Sequence, residues 1–221
     1  MLLGIVFCLL YLFACSLFNT LLMESLGMRK ANFWILLLSR IEQWILLPLV
    51  ALYTLKIEKR GLLLWKNRKY KIHLLLVHVL LLYLAAILVM IPVQLLISAS
   101  GINRVSPVLS NIKSIIVAYP AMLPCIAITA GIVEEYIFRG YMQPRLEVLF
   151  KNSWAGILIS SLLFAAIHYG FGTLTNMIGP FIIGLVFSVY YWKYRNIYAL
   201  IGCHILIDLI ALSSIVRSPH F

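Results

Sequence analysis

Residues 74–97 read LLLVHVLLLYLAAILVMIPVQLLI, 24 positions without a charged side chain. A helix needs about 20 apolar residues to cross the hydrocarbon core of a bilayer, and this stretch supplies them. A membrane β-strand would be shorter and would alternate apolar with polar residues. No alternation is present, so the backbone must satisfy its hydrogen bonds within the segment, as a helix. The rest of the chain agrees. It is 63% hydrophobic and 11% charged, with mean hydropathy +1.02, whereas soluble domains carry about a quarter charged residues. The sequence therefore specifies an integral membrane protein, an all-α polytopic bundle.

Seven apolar spans are expected, at 2–23, 33–55, 73–97, 115–138, 154–169, 176–192 and 198–216. Arg40, Glu42 and Gln43 interrupt the second, which reads as a shorter helix preceded by an interfacial segment if it is not one span. Basic residues outnumber acidic ones 18 to 7, but they fall between the apolar runs, as topology requires. That placement excludes nucleic acid as a partner. Lys56, Lys59, Arg60, Lys66, Arg68, Lys69 and Lys71 crowd the loop 56–72 against one acid, Glu58. The positive-inside rule makes this loop cytoplasmic, with the N-terminus inside and the C-terminus outside. Arg139, Arg145, Lys151, Lys193 and Arg195 then also face inward, and Arg29, Lys30, Arg40, Arg104, Lys113 and Arg217 outward. Residues 2–23 lack the basic n-region of a signal peptide and read as a first membrane helix. Cys8, Cys15, Cys125 and Cys203 lie in apolar runs without metal-ligand spacing and read as small buried hydrophobes.

Ionisable groups inside a membrane cost about 2.5–3.5 kcal/mol each at the bilayer centre and default to a functional reading. Glu134, Glu135 and Asp208 lie in C-terminal apolar runs, joined by His168 and His204. Glu135 and Arg139 are four residues apart and share a helix face. Glu134 is rotated about 100° from Glu135. Phe164 and His168, and His204 and Asp208, are also four apart. If the helices pack together, Glu134, His168, His204 and Asp208 meet in one polar pocket. A glutamate beside a histidine can deprotonate a water, and a histidine with a neighbouring Asx-type side chain can stabilise an oxyanion. Taken singly, each has a plainer reading. Glu135–Arg139 is a charge pair, His168 and His204 are interhelical hydrogen bonders, and Phe164 packs to orient His168. His73, His78 and His220 read as interfacial.

EEYIFR (134–139), FAAIH (164–168) and HILID (204–208), in this order on apolar helices, resemble the EExxxR, FxxxH and HxxxB motifs of the CPBP family. These are the CAAX proteases and bacteriocin-processing enzymes, also called Abi, which include the type II CAAX endopeptidases. The resemblance covers about 131–208. It implies a catalytic core over 113–221, preceded by three N-terminal membrane helices over 1–112. It implies that Glu134 and His168 activate water, that His204 and Asp208 form the oxyanion-stabilising pair, and that Glu135, Arg139 and Phe164 support them. The eukaryotic enzymes carry Asn where this chain has Asp208. A carboxylate cannot donate to an oxyanion, so Asp208 is either protonated or serves to orient His204.

The resemblance favours a metal-free glutamic protease with no cofactor. The alternative is a divalent metal such as zinc on Glu134, His168 and His204, although HExxH is absent. GxSG is also absent, against a rhomboid serine protease. The expected activity is intramembrane endopeptidase cleavage of membrane-associated peptides or proteins, prenylated or not, in a prokaryotic cell membrane. A non-catalytic binding or immunity protein and an ion-coupled transporter are the alternatives. Because a helix rises about 1.5 Å per residue, Glu134 reaches the depth of His168 only if its helix extends beyond Phe138.

Overall fold

A computed structural model of the chain describes residues 1–99, 106–172 and 175–218. Arg104 and His220, which the sequence assigns to the outer surface and the interface, lie outside the described residues. The architecture is all-α, with no strand among the described residues. The α-helices are α1 (Leu2–Ser25), α2 (Phe33–Tyr53), α3 (Ile72–Ala99), α4 (Pro107–Ala118), α5 (Met122–Glu134), α6 (Gln143–Phe150), α7 (Ser153–Ile167), α8 (Thr175–Tyr194) and α9 (Ile197–Arg217). A π turn, Thr54–Glu58, prolongs α2, and a 3₁₀ turn, His168–Phe171, prolongs α7.

Asparagines start several helices, because their side chains accept the unpaired N–H groups of the first turn. Asn32 accepts from Ile35, Asn152 from Trp154 and Ala155, and Asn196 from Ala199. By length and composition, five helical runs can cross a membrane: Leu2–Ser25, Phe33–Glu58, Ile72–Ala99, Ser153–Gly170 and Ile197–Arg217. Five of the seven expected spans meet that criterion. The second does so as one unbroken run, so no interfacial segment precedes a shorter helix. Its polar residues are absorbed locally: Glu42 Oε2 accepts from Asn19 Nδ2 at 2.7 Å, and the Glu42 carbonyl accepts from Tyr11 at 2.9 Å. The fourth expected span, 115–138, contains a helix boundary. Tyr119 leaves the helical region at φ −134°, ψ 80°, because the following Pro120 disfavours a helical residue before it.

From Met122 the helical backbone continues through a π segment, Glu135–Met142, to Phe150. This is the extension beyond Phe138 that the depth argument requires. In the sequence, Pro144 predicts the end of the helix that carries the glutamates, and RLEVLFKNS (145–153) after it predicts a short amphipathic piece on the cytoplasmic face; in the structure the helical backbone runs through Pro144. Proline cannot donate to the carbonyl four residues back and clashes with it, and the preceding π turns bond five residues apart instead. Arg145 and Glu147, beyond it, are buried. Lys151, at φ 49°, closes α6.

Within the bundle α5 packs on α2 and α9, α7 on α6 and α8, and α3 on α8 and α9. Gly131 sets the closest approach of α5 to α9, since a Cβ there would lie 2.5 Å from Ile205 Cγ1 and 3.3 Å from the Ile201 carbonyl. One apolar core joins Ile5, Leu46, Val133, Ile137, Phe138 and Phe164. A second gathers Leu82, Phe187, Tyr191, Leu200 and Cys203. All four cysteines are free thiols, Cys8 and Cys203 buried. His73 is exposed, whereas His78 joins an aromatic cluster, stacked on Tyr70 and hydrogen bonded to Tyr190 at 3.0 Å.

The basic loop folds back onto the bundle. Fully buried Arg145 holds Glu58 Oε2 at 2.7 Å and donates to the carbonyls of Leu62, Gly61 and Tyr141. Asn196 Nδ2 donates to the Arg68 carbonyl at 2.6 Å, and Arg195 lies over Trp65.

Candidate active site

The two adjacent glutamates fall where α5 passes into its π segment, Glu134 as the last α-helical residue and Glu135 as the first π residue. Helical rotation predicts that they face different ways, Glu135 toward Arg139 and Glu134 toward the histidines. In the structure both reach the same imidazole. His204 Nδ1 donates to Glu135 Oε1 at 2.7 Å, while His204 Nε2 stands 3.9 Å from Glu134 Oε2 and 3.8 Å from Asp208 Oδ2. Glu135 also holds Arg139 Nη1 at 2.9 Å, and both side chains of that pair are fully buried. The Glu135–Arg139 pair is thus a brace whose load is His204.

Phe164 links the pieces. Its ring receives the Arg139 guanidinium at 4.2 Å and lies 4.8 Å, edge to face, from the His168 ring and 6.0 Å from that of His204. Its carbonyl accepts from His168 Nδ1 at 2.8 Å, which keeps the lone pair of the neutral ring on Nε2. Gly184 on α8 makes room for this stack, since a Cβ there would lie 3.3 Å from Arg139 Nη2 and 3.4 Å from Phe164 Cδ1. His168 also lies within electrostatic range of Glu134. All seven residues singled out in the sequence therefore belong to one cluster across α5, the π segment, α7 with its 3₁₀ turn, and α9.

The partnering at His204 has chemical consequences. With Nδ1 donating to Glu135, Nε2 can donate as well only when the ring carries both protons. Glu135 is then its counter-ion. Glu135 meets the ring at Nδ1, and Asp208 sits at the other nitrogen. Asp208 is the more open acid, its side chain 27% exposed against 12% for Glu134.

Sequence reasoning missed two residues of α2. Trp44 Nε1 donates to Thr129 Oγ1 at 3.0 Å, fixing α2 against α5. This sets the Arg40 guanidinium within electrostatic range of Glu134 and Asp208, and Gln43 beside Glu134 in one small cavity. The cost argument that exposed the glutamates applies equally to an arginine and a glutamine in an apolar run. With Arg40 included, three acidic side chains (Glu134, Glu135, Asp208) meet two guanidinium groups (Arg40, Arg139) and the His204 imidazole. Opposite charges thus offset one another inside the bundle, which lowers the cost of burying them.

The zinc alternative asks for three close ligands. Among the described residues no three His, Cys, Asp or Glu side chains are grouped so as to hold a metal ion. The residues as arranged do not fit that group.

Residues 116–210 match the family described as type II CAAX prenyl endopeptidase, Rce1-like. This segment contains Glu134 through Asp208 and leaves Arg40 and Gln43 outside. No curated protein and no solved structure matches the chain. Residues 116–210, somewhat less than half of the chain, are thus similar to the Rce1-like family, consistent with the CPBP motifs, and the chain is an integral membrane protein.

Proposed function

We propose that this Rce1-like membrane protein is an intramembrane endopeptidase in which Glu134 is the general base. Water activated by Glu134, with His168 beside that carboxylate, attacks the carbonyl carbon of the scissile peptide bond, and Glu134 takes its proton. The carbonyl oxygen becomes an oxyanion, which accepts a hydrogen bond from Nε2–H of the His204 imidazolium, with Asp208 as a neutral acid donating beside it. Glu134 then passes its proton to the leaving nitrogen as the C–N bond breaks, releasing a new carboxyl group and a new amine. Glu135, Arg139 and Phe164 position the imidazole and do not touch the reacting atoms. The observation that carries this reading is the division of His204, Nδ1 anchored by Glu135 and Nε2 turned to Glu134 and Asp208.

The reading needs no metal, so dialysis against a chelator leaves turnover unchanged. Loss of activity that zinc restores would overturn that point. Residues 113–221 supply the reacting groups, and 1–112 enclose them. The basic loop faces the cytoplasm of a prokaryotic cell, with the N-terminus inside and the C-terminus outside.

Substrates are membrane-associated peptides or proteins. The family description points to prenylated C-terminal CAAX peptides, and bacteriocin processing draws on the same chemistry. The test compares membrane peptidomes of cells carrying the wild type or Glu134→Gln. Removing a general base slows its reaction about 10²–10⁴-fold, so a defined set of cleavage products should vanish in the variant. Identical peptidomes would sink the mechanism. If a biological effect of the protein survived both Glu134→Gln and His168→Ala, a non-catalytic binding role would replace it.

A further inference from the structure

A cavity of about 10 Å³ lies where α1, α2, α5 and α7 meet, lined by Leu12, Gln43, Leu46, Val133, Glu134 and Ile137 among others. Its remaining lining residues, Phe138 and Ile167, are hydrocarbon, so Gln43 and Glu134 are its only polar walls. Each carries a buried oxygen, Gln43 Oε1 and Glu134 Oε2, with no hydrogen-bond partner among the described residues. Buried polar atoms without partners are rare and need a cause. Two acceptor oxygens bordering one cavity ask for a single small molecule with two hydrogens to give. The volume is about what one water centre requires. A cation would demand more oxygen ligands than this wall offers.

We infer that Gln43 is a positioning residue that holds the hydrolytic water together with Glu134. The water donates one O–H to Gln43 Oε1 and the other to Glu134 Oε2, and keeps its lone pairs for the scissile carbonyl. During attack the proton on the Glu134 side moves to that carboxylate, while Gln43 retains its hydrogen bond and undergoes no covalent change. Helix α2, outside the Rce1-like segment, thereby completes the site. The inference rests on the proposed protease reading and extends it to a residue that the motifs do not contain.

The test uses the purified full-length protein in lipid nanodiscs, with an internally quenched farnesyl-cysteine peptide as the probe. Gln43→Met keeps the length of the side chain and removes the acceptor. The expected result is a fall in kcat of about 10–100-fold with KM within about twofold, the signature of an interaction made at the reacting water and not in ground-state binding. Gln43→Glu restores an acceptor and should recover turnover to within about tenfold of wild type, which a merely structural role for Gln43 would not predict. A Gln43→Met enzyme with wild-type kcat overturns the inference. A high-resolution experimental structure of the wild-type protein supplies a measurement independent of variant folding. Water density within hydrogen-bond reach of both Gln43 Oε1 and Glu134 Oε2 is expected, and a dry or collapsed cavity overturns the inference. Glu134→Gln separates the two levels of the argument. An inactive Glu134→Gln beside an active Gln43→Met removes only the role of Gln43, whereas an active Glu134→Gln removes Glu134 as the general base and with it the proposed mechanism.

Discussion

Glu134 and Glu135 differ by one residue and by which nitrogen of His204 they meet. In the proposed mechanism that difference divides the work at the site: the acid at Nδ1 holds the ring, and the acid at Nε2 shares the space where a substrate carbonyl would sit. Asp208 stands beside the same Nε2, so its protonation decides whether it helps or repels a developing oxyanion. Asp208→Asn supplies a permanent neutral donor, and we expect turnover equal to or above wild type. Asp208→Ala removes the donor, and loss of one such donor lowers kcat by about 10²–10³-fold. Steady-state rates of the two variants measured side by side check this. An Asn variant as slow as the Ala variant would show that the carboxylate itself is needed. The acids and histidines were legible in the sequence because each is expensive in an apolar run. The anchoring of His204 by Glu135 was not, because local helical rotation says nothing of what a neighbouring helix presents.

At the scale of elements, the π segment and the α5–α9 contact bring these groups together. Glu135 opens the π segment and Arg139 lies within it, so the brace is built into the stretch where the helix is widest. Gly131, one turn earlier, lets α5 approach α9 closely enough for Glu135 to reach His204. A methyl group at Gly131 would stand 2.5 Å from Ile205 Cγ1 and 3.1 Å from Ile205 N. Overpacking of this kind costs about 1–3 kcal/mol. Displacement of the site by about 1 Å can cost about 10²-fold in rate. We therefore expect Gly131→Ala to lower both the melting temperature and kcat, and a second substitution, Ile205→Ala, to recover part of each. A fully active single variant would show that α5 has slack against α9. The π segment could not be read in advance, since EYIFRGYM satisfies α-helical spacing equally well. Pro144 was the one local hint, and a proline marks where a helix is perturbed without saying how.

At the scale of the whole molecule, two groupings of buried charge hold the described residues together, the cluster around His204 and a latch beneath the basic loop. In the latch, Arg145 joins Glu58 at the end of the α2 run to α6 and to the loop carbonyls. Breaking a buried pair by removing one partner costs about 3–5 kcal/mol. Arg145 lies eleven residues beyond Glu134, about 16 Å along the helix. Arg145→Met should therefore lower thermal stability sharply while kcat per folded molecule stays near wild type. A thermal melt read alongside active-site titration distinguishes the two effects. A large fall in kcat at full fold would connect the latch to the site.

By itself the sequence determined that this chain is a bundle of membrane helices with a few costly polar residues at motif spacing. Length, apolarity and spacing are local properties of the chain, and the bilayer reads them locally. Only the tertiary structure decided which helix faces meet, which nitrogen each carboxylate reaches, and that Arg40 and Gln43 of α2 stand at the site. In water a buried face is apolar and an exposed face polar, so a sequence shows which way a helix turns. Lipid tails are as apolar as leucine. The two faces of a membrane helix therefore look alike in sequence, and its rotation and neighbours are fixed only by packing.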